Sequence, residues 1–351
     1  MNHRPLSWFL VPLSLFWASL PAYGSTLRLA EPEDPITPHR GDGVFLFSVS
    51  GGVSDDFFTS SGSLKDSSDP SFRDGTQEQF IDLTFLLSAE YGLTDDLTLW
   101  LDFPLAYRKE TLAFNASNFG LGDTHAGAAF RFWGRPSSAL EAAFGIEGRF
   151  PSGDTQIGFS QASTGHSLKL PLGTGNQDLA PLALLKWHIT PALSWDADFS
   201  YAFRFAADVE YLQTTTILQA SADQTQTASL PVGNLHIDWG DEVRLGSRWA
   251  WRPARWNFVA LRLDYLYRRP TRIRNFNFTV NGSTFDSAVD DARLDSAMLL
   301  TVTPSWTLEL SRDVSLLMNL AIPVWGESYP TLPLVESLVG LKAELGIAYA
   351  F

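Results

Sequence analysis

Hydrophobic and polar residues alternate along most of this chain with a period of two. A β-strand imposes that period, because successive side chains leave opposite faces. The segment beginning at Leu193 shows it most clearly. Leu193, Trp195, Ala197, Phe199, Tyr201, Phe203 and Phe205 share one face, and Ser194, Asp196, Asp198, Ser200, Ala202 and Arg204 share the other. Upstream, Ile81, Leu83, Phe85, Leu87, Ala89 and Tyr91 oppose Asp82, Thr84, Leu86, Ser88 and Glu90. Leu97, Leu99, Leu101, Phe103, Leu105 and Tyr107 line up in the same way. Alternating segments recur over 43–53, 77–92, 97–107, 123–133, 139–150, 178–189, 193–205, 239–250, 256–268, 296–309, 314–323 and 339–351. Each is close to the ~9–11 residues with which a tilted strand crosses a bilayer.

The connections alternate too. Short ones fall at Thr94-Asp95-Asp96, Gly134-Arg135-Pro136-Ser137, Thr190-Pro191-Ala192, Arg252-Pro253-Ala254-Arg255 and Ser311-Arg312-Asp313. Their Pro, Asp and Ser residues fix φ or cap nearby amides. Between them lie long polar stretches near 54–76, 108–122, 151–177, 206–238, 269–295 and 324–338. This rhythm predicts an all-β fold: a transmembrane, up-and-down, antiparallel β-barrel with tight periplasmic turns and long external loops. With both termini periplasmic the strand number is even, about twelve within a range of about ten to fourteen. A soluble β-sandwich also alternates, with apolar faces against each other and polar faces to water. It gives no reason for long and short connections to alternate, nor for aromatics near the ends of the apolar faces. The barrel is expected over 43–351, with 25–42, rich in Pro and charge, as an irregular segment in the periplasm or folded into the lumen.

Both ends of the chain point to export. Met1 to Gly24 has a basic start at Arg4, an apolar run from Leu6 to Leu20 and small residues at Ala22 and Gly24. That pattern predicts a signal peptide cleaved just before Ser25. The run is too short and too Pro-interrupted for a spanning helix, which needs roughly 18 or more apolar residues. The last segment, Val339 to Phe351, is amphipathic and closes on Tyr-x-Phe. It resembles the C-terminal signal of bacterial outer-membrane barrels, with Glu344, Gly346, Tyr349 and Phe351 at the signal positions. The resemblance implies the barrel assembly machinery as a partner, outer-membrane lipid as the environment, and a Gram-negative source.

Composition narrows the function classes. The 351 residues include no Cys, so neither a disulfide frame nor thiol chemistry is available. The formal charge of −14, with no basic tract, argues against nucleic acid as a partner. Twelve Trp and 25 Phe suit membrane interfaces.

Four stretches carry a family resemblance: AEYGLTDDLTLWLDFPLAYR from Ala89 to Arg108, FGLGDTHAGAAFRFW from Phe119 to Trp133, FPSGD from Phe150 to Asp154, and LGTGNQDLAPLALL from Leu172 to Leu185. In this order the chain resembles the outer-membrane family named for the MetA pathway of phenol degradation, whose members are called transporters. Leu105 stands where that family favours an aromatic, and Ser152 where it favours Thr. The resemblance covers roughly 77–205 and the last strand; 206–310 carries no such motif. The motifs are turns and strand ends. Gly92-Leu93-Thr94-Asp95 is expected to reverse the chain, with Gly supplying free φ and Asp95 capping neighbouring amides. No helix follows the glycines to make a phosphate loop.

Catalytic chemistry finds little support. His125, His166, His188 and His236 have Ser and Asp nearby, but no spacing specifies a triad. Asp55-Asp56, Asp66 to Asp69 and Asp286 to Asp291 could ligate loop calcium through carboxylates, against the simpler reading of solvated acidic loops. No enzyme activity, cofactor or resident metal is expected.

The inward face is the informative site. By alternation the lumen wall carries Asp82, Glu90, Asp102, Arg131, Glu141, Glu147, Arg149, Lys186, Asp196, Asp198, Arg204, Glu242, Arg244, Arg248, Arg262, Asp264, Arg268, Glu309, Lys342 and Glu344. Mixed signs allow pairing between neighbouring strands and do not build a single-sign ion filter. The same face carries Trp100, Leu182, Leu184, Leu266, Leu299 and Leu317. Together they suggest a passive path for a small, moderately hydrophobic or aromatic solute. The competing reading is a structural or interaction barrel with an occluded lumen and function in its loops.

Overall fold

The computed structural model describes residues 37–66, 80–110, 117–135, 138–155, 157–162, 165–170, 172–212, 215–221, 224–229, 233–274, 277–280, 283–286, 292–293, 295–329 and 339–351. The expected signal peptide, residues 25–36 and the acidic stretches 67–69 and 287–291 lie outside these.

Twelve strands form the wall: β1 (Gly43–Ser54), β2 (Phe80–Thr94), β3 (Leu97–Glu110), β4 (Thr124–Trp133), β5 (Leu140–Phe150), β6 (Asp178–Thr190), β7 (Leu193–Arg204), β8 (Glu242–Ala254), β9 (Asn257–Arg268), β10 (Ala297–Glu309), β11 (Val314–Glu327) and β12 (Lys342–Ala350). Each pairs antiparallel with the next. β12 returns to β1 from Val44↔Ala350 to Gly51↔Ala343, which closes the barrel. Closure gives the ladder amides partners and leaves no edge, the condition for strands to stand in lipid. One short strand, Ser117–Leu121, takes over pairing with the outer half of β3 where Pro104 interrupts the β3–β4 ladder.

The apolar faces point outward. Phe45, Leu87, Phe103, Phe144, Leu245, Leu263 and Ile347 are exposed. Trp133, Trp187, Trp249, Trp251 and Trp256 crowd the end of the barrel that carries the short turns, the girdle expected where lipid meets water. The charged faces point inward and are buried.

The short turns use side-chain caps. The Thr94 hydroxyl accepts the amides of Asp96 (3.3 Å) and Leu97 (3.0 Å), and Ser311 Oγ does the same for Asp313 and Val314. Gly134 has φ of 83°, where a Cβ would also strike the Leu140 carbonyl. Gly92 differs from expectation. It is required by close approach, because a Cβ there would meet the carbonyl of His39. Residues 37–42 lie against this first turn: Gly92 N donates to Asp42 O (2.9 Å), and Arg40 N donates to Asp95 Oδ1 (2.9 Å). Asp95 therefore caps the N-terminal segment, and Thr94 caps the turn.

The long connections are more ordered than their composition suggested. Ile157–Ala162, Gly165–Lys169, Ala207–Leu212, Gly233–Asp238, Arg272–Arg274 and Ala292–Arg293 form a six-stranded sheet, and Thr215–Ser221, Gln224–Ser229, Asn277–Val280 and Ser283–Asp286 a four-stranded one. Paired strands can carry a ladder beyond the membrane, since the amides that face a neighbouring strand still find carbonyls. Asp56–Phe58 and Leu64–Asp66 form a separate ribbon in the first long connection.

Candidate functional site

The inward charges pair across the wall, strand to strand. Near the turn end, Arg131 reaches Glu141 at 3.0 Å and Asp96 at 2.9 Å, and Glu141 also meets His188 Nε2 at 3.0 Å. Arg252 pairs with Glu309 at 2.9 Å. At mid-height Asp196 accepts Arg248 Nε at 2.8 Å and lies 3.9 Å from Lys186. Asp198 and Asp264 share Arg262, at 2.9 and 2.7 Å. On the other flank Arg108 stands 3.7 Å from Asp82, Ser88 donates to Asp102, and His125 meets Glu147 at 3.3 Å. Glu344 accepts Ser48 Oγ (2.7 Å) on β1 and Asn319 Nδ2 (2.8 Å) on β11, so it ties the closing strand to both neighbours. Glu90 is buried opposite Trp100. Pairing is what makes these charges tolerable away from bulk water, since an unpaired one would cost several kcal/mol (about 3–5).

At the long-loop end the pairing continues as a chain. Arg149 meets Asp178, Asp178 meets Arg204 (3.5 Å), Arg204 meets Glu242 (3.5 Å), and Glu242 meets Arg268 (3.0 Å). Arg244 Nε donates to the same Glu242 at 2.6 Å.

Three of the motif segments converge beside this chain. The Asp123 carboxylate accepts the Thr174 amide and hydroxyl, both at 2.8 Å, and the Gly153 amide at 3.3 Å. Thr124 N donates to Ser152 Oγ (2.9 Å), which donates to Gly122 O (2.8 Å). Leu172 N donates to Asp154 O at 2.7 Å. The Gly-Leu-Gly-Asp, Pro-Ser-Gly-Asp and Gly-Thr-Gly segments are thus one hydrogen-bonded knot at the mouth. It is a positioning device, carried by small residues that let three backbones approach.

A cavity of about 330 Å³ runs along the lumen, from Phe258 and Thr307 near the turn end to Gly173, Thr174 and Tyr329 at the loop end. Asp102, Glu147, Arg149, Asp198, Arg204, Arg244, Arg248, Arg262 and Asp264 border it. Asp82, Glu90, Arg131, Lys186 and Asp196 are buried in the wall and do not. Its apolar border includes Leu182, Leu184, Leu266 and Leu299. Trp100 packs with Leu182 and Leu184 beneath the surface, and Leu317 with Leu46 and Ala348. The ribbon of the first long connection folds over the mouth: Phe58 packs on Leu266, Leu299, Val339 and Tyr329. The ribbon's acids resist ionisation. Asp56 is pushed up to about 6, by burial first and then by Asp55 and Asp66, and Asp55 is raised by burial and by Asp66.

Sequence reasoning placed Asp123, Thr174 and Asp178 in motifs but missed their part in the mouth, and it missed Phe58 and Tyr329. Their signals are weak: Phe58 and Tyr329 stand among polar residues, and Asp178 opens its strand. The histidines are scattered: His125, His188 and His236 each meet a different acid, Glu147, Glu141 and Asp208. Among the described residues no three His, Asp or Glu are grouped to hold a metal ion.

A closed ladder, an apolar exterior with an aromatic girdle and a charged, partly hollow interior define a membrane-spanning β-barrel. No protein-family model matches the chain, and no curated protein matches its sequence. Solved structures do match its fold. A COG4313 outer membrane channel from Pseudomonas putida F1 aligns at 13% identity and a TM-score of 0.57, covering 89% of this chain and 96% of that one. The TodX monoaromatic hydrocarbon channel of Pseudomonas putida, as its deltaS2 mutant, aligns at 11% identity and a TM-score of 0.51, covering 93% and 94%. At such identities the likeness is one of fold.

Proposed function

We propose that this protein is an outer-membrane channel of a Gram-negative bacterium, passing small solutes with an apolar or aromatic body. The observation that carries the reading is the cavity that follows the lumen, bordered by paired charges and, among them, by Leu266 and Leu299. Pairing removes the single-sign field of an ion filter, while the apolar patches favour a solute that sheds water. The family resemblance to MetA-pathway transporters and the fold shared with outer-membrane channels support the same class. Export would use cleavage after Gly24, and insertion the signal at Glu344, Gly346, Tyr349 and Phe351. The chemistry is passage and weak contact, without a catalytic step.

One observation favours the occluded-barrel reading: Phe58 and the knot at Asp123 both crowd the mouth. Single-channel recording of the refolded barrel (residues 25–351) in planar bilayers decides between them. Stable conductance steps, blocked by an added aromatic solute, are expected. A heat-modifiable, inserted barrel that never conducts would overturn the channel and favour function in the loops.

A further inference from the structure

The loop end of the lumen gathers four guanidinium groups on two shared carboxylates. Strands β5 to β9 meet there in the order Arg149, Asp178, Arg204, Glu242, Arg268, linked by the registers Arg149↔Asp178, Asp178↔Arg204 and Glu242↔Arg268. Arg244 stands one inward-facing step deeper on β8. All four arginines border the cavity, whereas Asp178 and Glu242 are buried and do not reach it. Both acids are already shared. Asp178 serves Arg149 and Arg204, and Glu242 serves Arg204, Arg244 and Arg268. The other acids bordering this end are engaged elsewhere: Glu147 meets His125, and Asp123 holds Thr174 and Gly153.

Arg204 is the least satisfied of the four. It stands 3.5 Å from each acid, and its buried Nε and Nη1 make no hydrogen bond to any described residue. Those two nitrogens face Asp178 and Glu242, so Arg204 is loosely held by its acids while it still borders the cavity, where an arriving anion meets its charge. Arg204 is stacked 5.2 Å from the Trp239 ring, and Arg268 lies 6.0 Å from the Tyr329 ring. Cation–π contact of this kind holds a guanidinium plane in place before a ligand arrives.

The apolar patch lies alongside. Arg244 pairs in register with Leu266, and Leu266 with Leu299, so the patch begins one strand away from the arginine. At about 5 Å per strand, a solute of about that length spans from the Arg244 guanidinium to Leu266.

We propose that this end of the lumen is a binding site for an amphipathic organic acid of about the size of a benzoate ion. Its carboxylate sits between Arg204 and Arg244, and its apolar body lies on the side of Leu266 that borders the cavity beside Phe58. This inference rests on the channel reading and names its solute class. A neutral molecule of the same shape keeps the apolar contact and loses the charge-assisted hydrogen bonds, which are the stronger kind.

The test is calorimetric titration of the refolded barrel in detergent micelles with benzoate and, separately, with benzyl alcohol. Benzoate is expected to bind about tenfold more tightly, the preference fading at high salt. Arg244→Gln should abolish the preference, and Glu242→Gln, which removes the competing carboxylate, should strengthen benzoate binding. Heat-dependent gel mobility verifies that each variant is folded, and the comparison of the two solutes on the unmodified barrel decides even if a variant is not. Equal binding of both solutes, or an unchanged preference in folded Arg244→Gln, overturns the site. A barrel that conducts without preferring benzoate defeats this inference alone. One that binds benzoate and never conducts keeps the site and defeats the channel.

Discussion

Arg262 on β9 reaches across β8 to Asp198 on β7, 2.9 Å away, passing directly over Gly246. A Cβ at Gly246 would collide with Arg262 Nη2 and Asp198 Oδ1. The glycine therefore leaves the gap through which two strands that do not touch in the ladder exchange an ion pair. Arg262 also keeps Asp264 on its own strand, so two carboxylates share one guanidinium at mid-lumen.

Gly246→Val should separate Arg262 from Asp198 and cost about 1–2 kcal/mol, the scale of a partly solvated ion pair plus local overpacking. Urea unfolding of the barrel in micelles measures it. A double-mutant cycle with Asp198→Asn should be strongly non-additive. Additive losses would mean the glycine serves something other than this bridge.

Glu141 anchors the turn end. Arg131 and Glu141 side chains are both fully buried, and His188 shares the carboxylate. Glu141→Ala leaves the buried Arg131 guanidinium with Asp96 as its remaining carboxylate and is expected to cost about 2 kcal/mol, whereas a matched apolar pair, Arg131→Met with Glu141→Leu, should recover most of it. Unfolding midpoints of the three barrels check the order; equal losses in single and double variants would refute it.

The seam depends on the terminal aromatic. Phe351 exchanges backbone hydrogen bonds with Gly43 at 2.9 and 3.0 Å and stacks on Phe45 at 4.9 Å. Deleting it should remove about 2 kcal/mol from the β12–β1 seam and lower the inserted fraction at unchanged synthesis. Comparing heat-modifiable protein in membrane fractions with total protein tests this, and full insertion of the truncated chain would exclude an assembly role.

The ribbon over the mouth should loosen with rising pH. Docked, Asp56 titrates near 6; free, it returns to the ordinary 3.8. The docked form thus binds more protons between those values, so docking weakens from about pH 4 to about pH 6 and changes no further above. Asp56 is half-buried, and solvent screening reduces the effect to about 1 kcal/mol. The amides to watch are Phe58 N, bonded to Tyr329 O, and Val339 N, bonded to Asp56 O. Their rate-corrected hydrogen exchange should be faster at pH 7.5 than at pH 4.5, and Asp56→Asn should remove the difference.

The sequence by itself determined the wall. A period of two over segments such as Leu193–Arg204 is a local property, so about twelve strands and their two faces could be read without knowing any neighbour, their limits to within a few residues. It also marked Asp198, Arg204 and Arg262 as inward charges. It could not say which charge meets which, because pairing depends on register between strands far apart in the chain, and Asp198 and Arg262 skip a strand altogether. The loop ribbons were hidden for a related reason: Thr215–Ser221 and Gln224–Ser229 carry polar residues on both faces and leave no period to detect. Only the tertiary structure turned three separate glycine motifs into one knot, laid Phe58 over the lumen and gathered four arginines on two acids. Each is a meeting of residues that are distant in sequence, held by chain closure rather than by local preference.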